Sequence, residues 1–358
     1  MNSPTSQTES FDLDRILREN IRQLVPYSSA RDEFQGNAKV FLDANENSFG
    51  SPLPSNYNRY PDPGQALLKE KICQIKGVPV ERIFLGNGSD ECIDLLIRAC
   101  CNPGVDNILV CPPTYGMYEV CAHINDIGVR KACLDSAFQL DLAAIGRALN
   151  DHTKIIFLCS PNNPTGNSLS RHEVEIILGS FPGLVVVDEA YINFARQKSF
   201  IQELKEYPNL VVLQTLSKAW GLAALRIGMA FASPALTGIL SKIKPPYNIG
   251  QASQELALQA LDQISLVNER TRMIVQEREQ LKMALEEIPS VLKIFPSEAN
   301  FLLVRVTNPK GIYRFLVGLG IIVRDRSRVE LCEGCLRITV GTPEENRILL
   351  EGLKKFQE

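Results

Sequence analysis

Residues 154–189 read "KIIFLCSPNNPTGNSLSRHEVEIILGSFPGLVVVDE": two apolar runs, KIIFLCS (154–160) and LVVVDE (184–189), separated by a turn and a segment with helical spacing. Both runs are apolar at odd and even positions alike, which suits strands covered on two faces rather than one. Strands of that kind with helices between them are the repeating unit of an α/β sheet. The pattern extends in both directions. NILVC (107–111) and VRKACL (129–134) precede it, LVVLQTLS (210–217) and RIGMAFA (226–232) follow it, and helical patterns such as SDECIDLLIRACC (89–101) lie between most of these runs. The last two strands leave no room for a helix between them, so they are expected to pair antiparallel. The sheet is therefore expected to be mixed but mostly parallel.

After KPPYNIG (244–250) a helical pattern runs from Gln251 to Glu287, followed by LKIFPSEANFLLVRV (292–306), a helix near 310–319, GIIVRD (320–325), CLRITVG (335–341) and a helix from Pro343. This reads as a smaller α/β unit. The expected organisation is an N-terminal arm over 1–35, a large domain over 36–246 and a small C-terminal domain over 247–358. The arm carries the amphipathic stretch FDLDRILRENIRQLVPYSSARDEF (11–34).

The 358 residues are 45% hydrophobic and 22% charged, and their net charge of -3 comes from scattered Lys, Arg, Asp and Glu. No basic face suits nucleic acid or anionic lipid. No apolar run reaches the ~18 residues of a membrane span, and MNSPTSQTES lacks the features of a signal peptide. Of the ten cysteines, Cys73, Cys92, Cys100, Cys111 and Cys159 sit in apolar runs, as small core residues of a chain in a reducing compartment. The cytoplasm is the expected location. Cys332 and Cys335 have CxxC spacing, but no second pair and no neighbouring His completes a zinc set. They read as flanking a turn before a strand, and no metal is expected.

Four short stretches carry candidate chemistry. LGNGSDECIDLL (85–96) is a glycine turn into a helix, whose free amides at Gly88, Ser89 and Asp90 suit a phosphate. Taken alone it fits an ordinary N-capped helix as well. LCSPNNPTGNSLS (158–170) turns at the carboxyl end of a strand, where open α/β sheets bind ligands. LVVVDEAYINF (184–194) ends a buried strand in Asp188, a carboxylate that needs a cationic partner. TLSKAWGLAALRIG (215–228) places one amine, Lys218, among apolar and small residues, with Arg226 downstream; such a lysine with a lowered pKa is a nucleophile toward carbonyls. Together these meet the needs of one cofactor with an aldehyde, a ring nitrogen and a phosphate. That cofactor is pyridoxal 5'-phosphate.

At NNPTG, VVVDEAY and SKAWGLAALRIG the sequence resembles the fold type I pyridoxal-phosphate aminotransferases. Over nearly the whole chain it is similar to the histidinol-phosphate aminotransferase family within them, through VPYSSAR (25–31), LDANENSFG (42–50), RYPDP (59–63), GNGSDE (86–91), CPPTYGMY (111–118) and CLRITVG (335–341). Ser48 stands where that family commonly has proline, away from the chemistry. The resemblance implies that Lys218 bonds the cofactor aldehyde, Asp188 pairs with the pyridine nitrogen, and Asn163 and Tyr191 hydrogen-bond the ring hydroxyl oxygen. Tyr115 would stack on the ring. Ser89, Asp90, Thr215, Ser217 and Arg226 would hold the phosphate, together with Tyr60 from a second subunit, which implies a homodimer. Arg337 and Arg324 would bind the substrate's anionic group, with Tyr27 and Asn45 as further substrate contacts. The implied reaction is amino transfer between L-histidinol phosphate and 2-oxoglutarate. Phosphothreonine decarboxylases and aromatic amino-acid aminotransferases share these features and stand as alternatives. Regulator domains of this fold usually carry a DNA-binding region, for which the arm is too short and too acidic.

Overall fold

A computed structural model describes residues 11–27, 39–53, 55 and 57–357. Much of the arm expected over 1–35, including SSARDEF, lies outside the described residues. Its described part forms two short helices, α1 (Leu13–Ile16) and α2 (Glu19–Arg22). Ile16 and Leu17 are buried in the large core, so this described part of the arm packs there.

Seven strands form the large sheet: β1 (Ile83–Asn87), β2 (Asn107–Val110), β3 (Gly128–Lys131), β4 (Thr153–Cys159), β5 (Leu184–Asp188), β6 (Leu210–Thr215) and β7 (Ile227–Phe231). Their spatial order is β1-β7-β6-β5-β4-β2-β3. The pairs from β3 to β6 are parallel, while β7 runs antiparallel to both β6 and β1. This is the mixed sheet expected from the sequence. Side chains along a strand alternate between its faces. Val185 and Val187 of β5 enter one apolar core, and Leu184 and Val186 enter the other. Helices α3 (Ala66–Lys76), α4 (Ser89–Cys100), α5 (Met117–Ile124), α6 (Leu142–Ala148), α7 (Arg171–Ser180) and α8 (Pro234–Ile243) flank the sheet.

The helical pattern of 251–287 is not one helix. It forms α9 (Gln251–Leu261) and α10 (Ile264–Glu286), with a turn at Asp262 and Gln263. Ala257 and Leu261 of α9 and Val267 in the first turn of α10 bury against the large unit, whereas Leu281 and Leu285 near the end of α10 bury against a second sheet. That sheet contains β8 (Val291–Ile294), β9 (Phe301–Val306), β10 (Arg324–Asp325) and β11 (Cys335–Thr339), all antiparallel in the order β10-β11-β9-β8. Helices α11 (Pro309–Gly318) and α12 (Pro343–Lys355) complete this unit. Thr342 and Glu345 close a capping box on α12, satisfying two donors at its start.

Parallel pairing aligns the carboxyl ends of β4, β5 and β6. Cys159 lies beside Asp188, and Asp188 beside Leu213. The turn after β4, the acid ending β5 and the lysine loop after β6 therefore open onto one space.

Candidate active site

Asp188 is the last residue of β5 and is only 3% exposed. An isolated buried carboxylate is costly, and here two donors offset that cost. The Tyr118 hydroxyl donates to Oδ2 at 2.7 Å and the Ala190 amide to Oδ1 at 3.1 Å. Burial still pushes the Asp188 carboxyl up, against those two bonds and the attraction of Lys218. Lys218 keeps solvent access through the cavity it lines, and its Nζ lies 5.6 Å from the centre of the Tyr191 ring. Desolvation first, and repulsion from Arg337 second, lower its pKa.

At one end of the cavity, β1 turns into α4 through Gly88, whose φ of +78° suits glycine. No side chain caps α4, and the Ser89 and Asp90 amides donate to no group among the described residues. Two glycines open this cradle. A Cβ on Gly88 would meet Arg226 Nη2 at 2.6 Å, and one on Gly228 would meet the Ser89 amide nitrogen at 2.2 Å. The Gly88 amide donates to the Arg226 carbonyl at 2.8 Å, tying the turn to β7. Around the cradle, Thr215 Oγ1 bonds Ser217 Oγ at 3.0 Å, and Arg226 Nη2 approaches Asp90 Oδ2 at 3.5 Å. Free amides at a helix start, two hydroxyls and a guanidinium fit a phosphate monoester. With Asp188 suited to a protonated ring nitrogen and Lys218 to an aldehyde, the residues present fit pyridoxal phosphate.

The NNPTG turn is held by its own side chains. Asn162 donates to the Pro113 carbonyl and to Thr165 Oγ1, both at 2.7 Å. Gly166, at φ +86°, passes so close to Ser297 that a Cβ would lie 2.5 Å from its Oγ. This fixes Asn163, whose Oδ1 accepts from Arg337 of β11. Tyr191 is 6% exposed and meets the Phe301 ring edge-on at 5.2 Å, while the Arg337 guanidinium lies 5.3 Å from the same ring. The small sheet thus reaches across to the large one.

The cavity holds about 530 Å³ and is lined by Ser89, Asp90, Tyr115, Asn163, Asp188, Tyr191, Thr215, Ser217, Lys218, Arg226, Arg324 and Arg337. Three residues named from the sequence lie elsewhere in the chain. Tyr60 stacks on Tyr247 with ring centres 4.4 Å apart, and it lines a separate hollow with Asn45. Tyr27 is 76% exposed, beside Arg18 and Lys242. Cys332, before β11, and Cys335, its first residue, are buried free thiols, and burial pushes Cys332 up to about 12.

Sequence reasoning missed two residues. Tyr118, three positions after Tyr115 at the start of α5, is fully buried, stacks on Phe157 at 4.7 Å and holds Asp188. The second tyrosine of CPPTYGMY was its signal. Arg326 also lines the cavity, and its place two residues after Arg324 in IIVRDR was its signal.

Residues 38–353 match the family model of class I and II aminotransferases. The histidinol-phosphate aminotransferase of Cytophaga hutchinsonii is 55% identical over 347 residues, covering 97% of this chain and 100% of that relative. Its counterpart in Parabacteroides distasonis is 53% identical, covering 97% and 99%. Among solved structures, the histidinol-phosphate aminotransferase of Sinorhizobium meliloti in complex with pyridoxal-5'-phosphate shares the fold at a TM-score of 0.76 and 24% identity, covering 87% of this chain and 89% of that one. The L-threonine-O-3-phosphate decarboxylase of Porphyromonas gingivalis also shares it, at 0.71 and 22% identity, covering 84% and 91%. By the extent of these matches, and with the cradle, acid and lysine in one cavity, the chain belongs to the class I and II aminotransferases and, among them, to the histidinol-phosphate aminotransferase family.

Proposed function

We propose that the chain transfers an amino group between L-histidinol phosphate and 2-oxoglutarate, giving imidazole acetol phosphate and glutamate in histidine biosynthesis, with pyridoxal 5'-phosphate as cofactor. The observation that carries this reading is one cavity lined by the phosphate cradle, by Lys218 and Asp188, and by Arg324 and Arg337.

When bound, pyridoxal phosphate supplies an aldehyde that bonds amines and a protonated pyridine that withdraws electrons. The remaining work falls to the chain. The cradle at Gly88–Asp90, with Thr215, Ser217 and Arg226, would hold the phosphate. Asp188 holds a proton on the ring nitrogen, and Tyr118 and the Ala190 amide orient its carboxylate for that task. Asn163 and Tyr191 would hydrogen-bond the ring hydroxyl, and Tyr115 would cover the ring face; all three line the cavity. The lowered pKa of Lys218 raises its neutral fraction near neutral pH, where an amine attacks a carbonyl. With substrate bound, the neutral Lys218 amine would be the base that takes the proton of the substrate's alpha carbon onto Nζ and gives it back from there. Arg337 and Arg324 receive the substrate's anion, and Asn163 holds Arg337 in place.

The expected division at 35 and 246 belongs to this reading, and the separate spans of the two sheets support it. So does a homodimer, with Tyr60 and Asn45 meeting the partner's site and Tyr27 closing over substrate. Exposed Leu42, Phe49, Leu53 and Tyr57, on the same stretch as Tyr60, support that contact. Ten unpaired cysteines support a reducing, cytoplasmic location. Incubating the purified protein with glutamate and imidazole acetol phosphate tests the activity. Histidinol phosphate should form; carbon dioxide release from phosphothreonine, or transfer confined to aromatic amino acids, would overturn the assignment.

A further inference from the structure

We propose that Arg326 is the third guanidinium of an anion cup that favours a doubly charged phosphate monoester over a carboxylate. This rests on the proposed function and goes beyond its two-arginine account.

In the small sheet, Arg324 of β10 lies opposite Arg337 of β11, and Asp325 lies opposite Leu336. The Arg326 amide donates to the Cys335 carbonyl at 2.9 Å, so the ladder continues one residue further. Alternation along the strand puts Arg324 and Arg326 on the face that Arg337 shares. All three line the cavity. Asp325, on the other face, accepts from the Ser327 amide at 2.8 Å and from its hydroxyl.

Like charges facing each other across a strand pair destabilise it. Here three cations converge, and none forms an ion pair among the described residues. Arg337 is engaged by Asn163, whereas the Nε of Arg326 is buried without a hydrogen-bond partner. A buried N–H left unmade is costly, so both repulsion and the orphan donor call for an anion. A carboxylate offers two oxygens and one charge, which a single bidentate arginine satisfies. A phosphate monoester offers three terminal oxygens and about two charges, enough acceptors for a further guanidinium. Arg337 with Arg324 then serves both substrates, and Arg326 adds its bonds to the phosphorylated one.

The test uses the holoenzyme with Arg326→Met, which keeps an apolar stem without the charge, and Arg326→Lys. KM and kcat are measured for histidinol phosphate and for glutamate, and inorganic phosphate is titrated as an inhibitor. In the Met variant the ratio of KM for histidinol phosphate to KM for glutamate should rise about tenfold or more, the effect of losing a charged hydrogen bond. Phosphate inhibition should weaken in parallel, and the Lys variant should recover part of both. An unchanged ratio, or equal rises in both KM values, overturns the assignment of Arg326. A wild-type enzyme that transfers no amino group from histidinol phosphate instead overturns the functional reading, and this inference with it. Melting temperatures of both variants separate lost binding from lost folding.

Discussion

Gly228→Ala perturbs the phosphate cradle without touching any side chain that holds the cofactor. Gly228 lies in β7, where an added Cβ would sit 2.2 Å from the Ser89 amide nitrogen and 2.3 Å from the Gly88 carbonyl carbon. Ordinary contact begins near 3.4 Å, so the start of α4 must retreat by about 1 Å. Both obstructing atoms are backbone, and no rotamer change relieves them. Overpacking of this kind costs about 1–3 kcal/mol. The displaced amides of Ser89 and Asp90 also lose their aim. Each charge-assisted bond to a phosphate contributes about 1.5–3 kcal/mol, so the loss of one raises the cofactor dissociation constant roughly 10- to 150-fold. The assay is absorbance titration of the apoprotein with pyridoxal phosphate, alongside thermal melting of the apoprotein. Gly88→Ala is the comparison: its Cβ meets the end of the long Arg226 side chain at 2.6 Å, which a rotamer change can relieve at the expense of that guanidinium's hold on the phosphate, and the φ of +78° adds about 1–3 kcal/mol of strain. Wild-type affinity and melting in Gly228→Ala would refute the cradle as described.

Further outcomes follow from single contacts. Arg337→Ala removes the guanidinium held by Asn163 and should raise KM for glutamate and for histidinol phosphate roughly tenfold or more; steady-state kinetics that leave either value unchanged count against a shared pocket. Tyr118→Phe keeps the ring stacked on Phe157 but takes the donor from Asp188 Oδ2. It should push the Asp188 carboxyl further up and lower kcat about tenfold while changing KM little, and the pH dependence of the bound cofactor's absorbance should shift. Glu189 is buried and raised to about 7, with desolvation as the largest cause. Between its ordinary value of 4.5 and about 7 the folded state holds more protons than the unfolded, so stability falls as pH rises through that window. The fall amounts to about 3 kcal/mol. Denaturant titrations of Glu189→Gln across that window should be flatter than those of the wild type.

The strands were legible because burial on both faces leaves uninterrupted apolar runs, and β4, β5 and β6 appear where KIIFLCS, LVVVDE and LVVLQTLS stand. The antiparallel β7 was legible from the missing helix before it. Its pairing with β1 was not, because that contact joins segments about 140 residues apart and no local pattern records it. The break between α9 and α10 was hidden for a different reason. Asp262 and Gln263 include no glycine or proline, so nothing in the local sequence marks the break. Lys218, Asp188 and the cradle were readable as local chemistry at strand ends. Tyr118 has no local partner that marks it, and only the fold brings its hydroxyl to an acid 70 residues on. Arg326 carries no local signal beyond its spacing from Arg324; the register of β10 against β11, continued one residue on, sets it beside Arg324 and Arg337.

The central claim is that the amine of Lys218 bonds the aldehyde of pyridoxal phosphate in this cavity. Borohydride reduction of the holoenzyme, followed by proteolysis and mass spectrometry, tests it directly. The account predicts the phosphopyridoxyl group on Lys218, with no such label in Lys218→Ala. A label on another lysine, or an undiminished label in the variant, would contradict it.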